Sequence, residues 1–76
     1  MQLTLRARNG AKILVWREDD IFCARRAEAP LELPQTCLGL DLFEILAELT
    51  GLDLEDGAQA AEAIEMAEQA QHRLAD

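Results

Sequence analysis

Serine and tyrosine are absent from this chain of 76 residues, and histidine occurs once, at position 72. A serine–histidine triad therefore has no nucleophile to use. The four glycines are scattered at turns rather than clustered, so no glycine-rich loop is available to cradle a phosphate. Cys23 and Cys37 lack a C-x-x-C arrangement, and with His72 they would give a metal three ligands at no standard spacing. No cofactor signature is found, and the chain is expected not to be an enzyme. No apolar run is long enough to span a bilayer, and none near the N-terminus has the form of a signal peptide. The expectation is a soluble, cytoplasmic protein without a membrane partner, and with both thiols reduced and packed as small apolar groups. A Cys23–Cys37 disulfide is the alternative.

Aromatic residues are scarce: Trp16, Phe22 and Phe43 are all there are. Half the chain is apolar, but thirteen of those residues are alanine, which buries little, and thirteen are leucine. Residues 1–76 read as one small domain, near the lower size limit for a core that stands alone. Such a core supplies about 3–5 kcal/mol, so self-association, as a homodimer for instance, would help.

Positive charge is scarce too, and unevenly placed. Residues 1–26 carry six Arg or Lys against three Asp or Glu, a net of +3. Residues 27–76 carry one Arg against twelve carboxylates, a net of −11, and the two halves give the whole chain its −8. That balance argues against direct binding to nucleic acid or to an anionic membrane.

Two chain patterns coincide with the two charge regions. "QLTLRARNGAKILVWRE" reads as a β-hairpin over 2–8 and 12–18. Asn9-Gly10 suits a two-residue type I′ turn, which would pair Leu5 with Leu14 and Leu3 with Trp16. Those four would face the core, leaving Thr4, Arg6, Arg8, Ile13, Val15 and Arg17 on a basic second face. "EDD" at 18–20 is a turn into a third strand, 21–26, placing Phe22 opposite Trp16 and Ala24 opposite Leu14. Pro30 and Pro34 keep the connection extended, with a short edge strand possible around Leu31 and Leu33.

The acidic half reads as two helices, about 41–50 and 54–74. In the first, Leu42, Ile45, Leu46 and Leu49 recur at helical spacing. Asp41 and Glu44 make a capping-box pattern, and Gly51 with Leu52 a Schellman-type stop. In the second, Ala60, Ala63, Ile64, Ala67, Ala70 and Leu74 form one stripe, and the start lies at Asp53 or Asp56. The predicted fold is α+β: a three-stranded antiparallel meander with two helices on one sheet face.

In size and charge the chain is similar to many small acidic proteins of bacteriophages and mobile elements, anti-CRISPR proteins and other host-protein inhibitors among them. The similarity carries no site. The separated charges point to a non-enzymatic, acidic protein-binding module, in its sharpest form an inhibitor of that kind that blocks a basic surface of a host protein. Asp41, Glu44, Glu48, Glu62, Glu65 and Glu68 are the candidate contacts, with Phe43 a candidate apolar anchor. A structural or assembly subunit acting through homo-oligomerisation is the alternative, and the antitoxin partner of a toxin ranks below it.

Overall fold

The computed structural model describes residues 1–75. Four strands, β1 (Gln2–Arg6), β2 (Lys12–Glu18), β3 (Ile21–Arg26) and β4 (Gln35–Cys37), form one antiparallel sheet in sequence order. A 3₁₀ turn (Gly39–Asp41) leads into α1 (Leu42–Thr50), and α2 (Gly57–Arg73) follows. The class is α+β, with a fourth strand beyond the predicted meander, at 35–37 rather than around Leu31 and Leu33, which lie outside any strand and are exposed. β4 forms after Pro34, clear of both prolines, so every residue in it has an N–H to offer the ladder. Among the described residues no helix is long and apolar enough to cross a membrane.

The strands lie where the pattern places them, but the first hairpin is shifted by one residue. Leu3 pairs with Val15 and Leu5 with Ile13, not with Trp16 and Leu14. The turn holds three residues, not two. Gly10 N donates to Ala7 O at 2.9 Å and Ala7 N to Ala11 O at 2.8 Å. Gly10 alone in this turn has positive φ, +93°, as in a type I turn closed by a glycine bulge. Asn9 plays a different part from the expected one. Its Nδ2 donates to Thr50 O at 2.8 Å, fastening the turn to the end of α1. A one-residue shift exchanges faces, so fully buried Ile13 and Val15 line the core, while Leu14 and Trp16 lie half-buried on the opposite face.

The second turn is shorter than expected, with Asp19 at φ +57° and Asp20 making the reversal. Phe22 and Ala24 do reach the core, but opposite Arg17 and Val15. The Arg17 guanidinium stands 5.7 Å from the Phe22 ring centroid.

Both helices cover the face that carries Leu3, Leu5, Ile13, Val15, Phe22 and Ala24. α1 rests on β2 and β3, while α2 packs along α1 and reaches β1. α1 contributes Leu42, Leu46 and Leu49, close to the predicted stripe. Asp41 makes no side-chain cap, because the chain enters α1 through the 3₁₀ turn, where Asp41 already has helical backbone angles. The stop behaves as expected: Gly51 is left-handed at φ +78°, and Leu52 N donates back to Ala47 O at 3.0 Å.

α2 begins later than residue 54. Asp56 is the N-cap, its carboxylate accepting from Ala58 N and Gln59 N, both at 3.0 Å. Asp53 instead accepts from Glu55 N within the preceding turn. The buried stripe of α2 is also rotated. Glu62, Ala63, Met66, Ala67, Ala70 and Leu74 are buried, whereas Ile64 is 44 % exposed and Ala60 is half-buried. The small side chains at 63, 67 and 70 are thus consumed inside the fold and offer no surface for self-association.

Candidate functional site

α1 turns Glu44 and Glu48 outward, one turn apart and opposite the buried Leu42, Leu46 and Leu49. α2 does the same with Glu68, on the side away from Ala63, Met66 and Ala70. Because both helices lie on one sheet face, these three carboxylates share the outer surface of the helical layer. Asp41 is exposed at the start of α1. It is close enough to Cys37 for its charge, with burial the larger cause, to push that thiol's pKa up. Among the described residues, no cation lies within ion-pair distance of Asp41, Glu44, Glu48, Glu65 or Glu68.

Glu65 and Glu62 lie elsewhere. Glu65 is exposed but borders a shallow groove between α2 and β1, shared with Arg6, Arg8, Met66 and Gln69. Glu62, in the same groove, is 9 % exposed, and its Oε2 accepts from Arg8 N at 2.6 Å. It latches the second helix to the first turn and is therefore removed from the contact surface that the sequence suggests. No local signal reveals this role, because the donor is a backbone N–H 54 positions away.

The expected apolar anchor also changes. Phe43 packs against the core. Leu40, 89 % exposed, directly precedes Asp41, and Ile64, 44 % exposed, stands one turn before Glu68 on α2.

The other face of the sheet was not legible in the sequence. It carries Gln2, Thr4 and Arg6 from β1, then Lys12, Leu14, Trp16 and Glu18 from β2. Ile21, Cys23 and Arg25 of β3 and Thr36 of β4 complete it. Of these, Leu14, Trp16 and Cys23 lie outside the core cluster although partly or fully buried. Of the basic second face expected, Thr4 and Arg6 do lie here, but Ile13, Val15 and Arg17 face the helices and Arg8 lies in the turn. Arg17 sits on the helix side, where Nε donates to Asp19 O at 2.7 Å and the guanidinium meets Asp20 at 3.6 Å.

The two cysteines are free thiols on opposite faces of the sheet, since Cys23 pairs with Thr36 and Cys37 with Phe22. A disulfide between them would require one strand to turn over. Burial, with Glu18 accepting the thiol hydrogen at 3.4 Å, pushes the Cys23 pKa up to about 11. The thiol is thereby kept protonated and unreactive at neutral pH. His72 is exposed on α2, and among the described residues no cluster of three or more His, Cys, Asp or Glu could hold a metal.

Comparison with family models, characterised proteins and solved structures finds no match, so the chemistry of this surface is read from its own geometry.

Proposed function

We propose that the chain is a non-enzymatic protein-binding module that presents the outer face of its helical layer to a basic surface of another protein. The carrying observation is the set of exposed carboxylates at Asp41, Glu44, Glu48 and Glu68, which meet no cation of the described chain. Mutual repulsion among them is uncompensated, and a cationic partner relieves it. Opposite charge speeds encounter and rejects wrong partners, while a few desolvated apolar residues supply most of the affinity. Leu40 and Ile64 are placed for that second task.

In its sharpest form the partner surface is a Lys/Arg-rich one that otherwise holds nucleic acid, and the module competes for it. The test begins with affinity capture from the host cell, followed by association kinetics with the captured protein. For E44K/E48K/E68K the association rate is expected to fall about tenfold or more at low salt. Wild-type and variant rates should converge as salt shrinks the screening length to about 3 Å near 1 M. A rate unaffected by either change overturns the proposal. Displacement of nucleic acid from the partner supports the inhibitor form, and a ternary complex refutes it.

A further inference from the structure

The molecule measures 32 × 25 × 16 Å, which leaves depth for one sheet and one helical layer. All the helical cover lies on one side. Across the open side, charge and apolarity are graded along the strands. Arg6 and Lys12 stand at one end, and Leu14 comes next with Arg25. Trp16 and Cys23 follow, and Glu18 and Ile21 stand at the far end beside the Asp19-Asp20 turn.

The central strand repeats this gradation in a self-complementary form. Around Val15, Leu14 and Trp16 lie one residue to either side, and Lys12 and Glu18 three residues to either side. All four project onto the open face. A two-fold axis crossing β2 at Val15, perpendicular to the strand and in the plane of contact, lays the strand antiparallel over its own copy. Lys12 then lies over Glu18 of the second copy, Leu14 over Trp16, and each pairing occurs twice, as a two-fold interface demands. The parallel arrangement would set Lys12 over Lys12 and Glu18 over Glu18.

We infer that the open sheet face is a docking surface for a second copy of this chain, stacked sheet to sheet with β2 antiparallel to β2. Packed sheets lie about 10 Å apart with strands within about 30°, a gap that a lysine and a glutamate span together. The strands hold five, seven, six and three residues, and at about 3.3 Å per residue and about 4.8 Å between strands they give a footprint of roughly 330 Å². With side chains, that makes a total burial of roughly 700–800 Å², below the threshold of a stable specific interface and in the range of a transient one. The dimer is therefore a weak one, with Trp16 as its central anchor. It places both acidic helical layers outward, and it stands or falls independently of what those layers bind.

The other occupant this face could suit is single-stranded nucleic acid, stacked on Trp16 and tracked by Arg6, Lys12 and Arg25. The net charge of −8 disfavours nucleic acid, and the opposed placement of Lys12 and Glu18 about Val15 selects the second copy. Sedimentation equilibrium from about 5 to 500 µM covers the affinity expected of so small an interface. The mass should rise from 8.4 kDa towards twice that, with a blue shift of Trp16 fluorescence. Trp16→Ala should abolish the rise. Lys12→Glu and Glu18→Lys should each weaken the dimer about tenfold, because each sets like charges face to face, and combining them should restore it. A monomer throughout, or a double swap no tighter than the single ones, overturns the inference. Binding of a single-stranded oligonucleotide that quenches Trp16 in a monomeric protein overturns it in favour of nucleic acid.

Discussion

At the scale of single residues, identical side chains three positions apart on one helix do opposite work. Glu68 and Glu65 are exposed, whereas Glu62 turns inward and accepts the Arg8 N–H. A hydrogen bond to a charged acceptor contributes about 1.5–3 kcal/mol, while an exposed glutamate contributes within about half a kcal/mol. Glu62→Ala should therefore lower the urea midpoint markedly, and Glu65→Ala and Glu68→Ala should leave it nearly unchanged. Glu62→Gln keeps an acceptor in place and should fall between. Equal midpoints for Ala at 62 and 68 would show that the latch contributes nothing in solution. The alternation of acid and apolar residues in "AEAIEMAEQA" cannot reveal which glutamate turns inward. The apolar stripe is mostly alanine, and its direction is set by Met66 and by the distant turn that Glu62 meets.

At the scale of elements, α1 was legible nearly to the residue, because four aliphatic positions at helical spacing end at a left-handed glycine. The strand positions were legible as well, but their register was not. Residues 13–16 are Ile, Leu, Val and Trp, so no alternation tells one face from the other. The choice fell to the turn. There the expected pair of positive-φ residues gives way to a three-residue loop in which Gly10 alone has positive φ, while the Asn9 side chain accepts from Ala11 N at 3.0 Å and donates to Thr50 O at 2.8 Å. The open face of the sheet became readable only with that register. The turn can be tested directly. Gly10 has open space where a Cβ would stand, so a substitution there meets only the strain of φ +93°. Gly10→Val should cost about 1–2 kcal/mol. Asn9→Ala should cost about 1–2 kcal/mol, because it loses both the bond to Thr50 O and the one accepted from Ala11 N. If Gly10→Val melts with the wild type, the bulged turn is not the conformation in solution.

At the scale of the whole molecule, the charge reversal near residue 26 largely follows the two layers: all cations but Arg73 lie on the sheet and its turns, and most carboxylates lie on or between the helices. The outer carboxylates have a cost. Like charges one turn apart on a helix destabilise it by about 0.2–0.5 kcal/mol, and Glu44 with Glu48 is such a pair. Neighbouring charge from Glu68 and Asp41 adds to this, while a net of −8 disfavours the compact state further. Neutralising the outer group as E44Q/E48Q/E68Q keeps side-chain size and helix propensity nearly constant. The thermal midpoint of the variant should therefore match or exceed that of the wild type at low salt, by up to about 1 kcal/mol in stability. The difference should shrink as added salt screens the wild-type charges. If the helical layer is the docking face, the same variant should associate more slowly with the partner, so that stability and binding move in opposite directions. Stability falling together with binding would mean that the carboxylates support the fold. Unchanged binding in a more stable variant would leave them as solubilising charge, and the contact would have to be sought on the sheet.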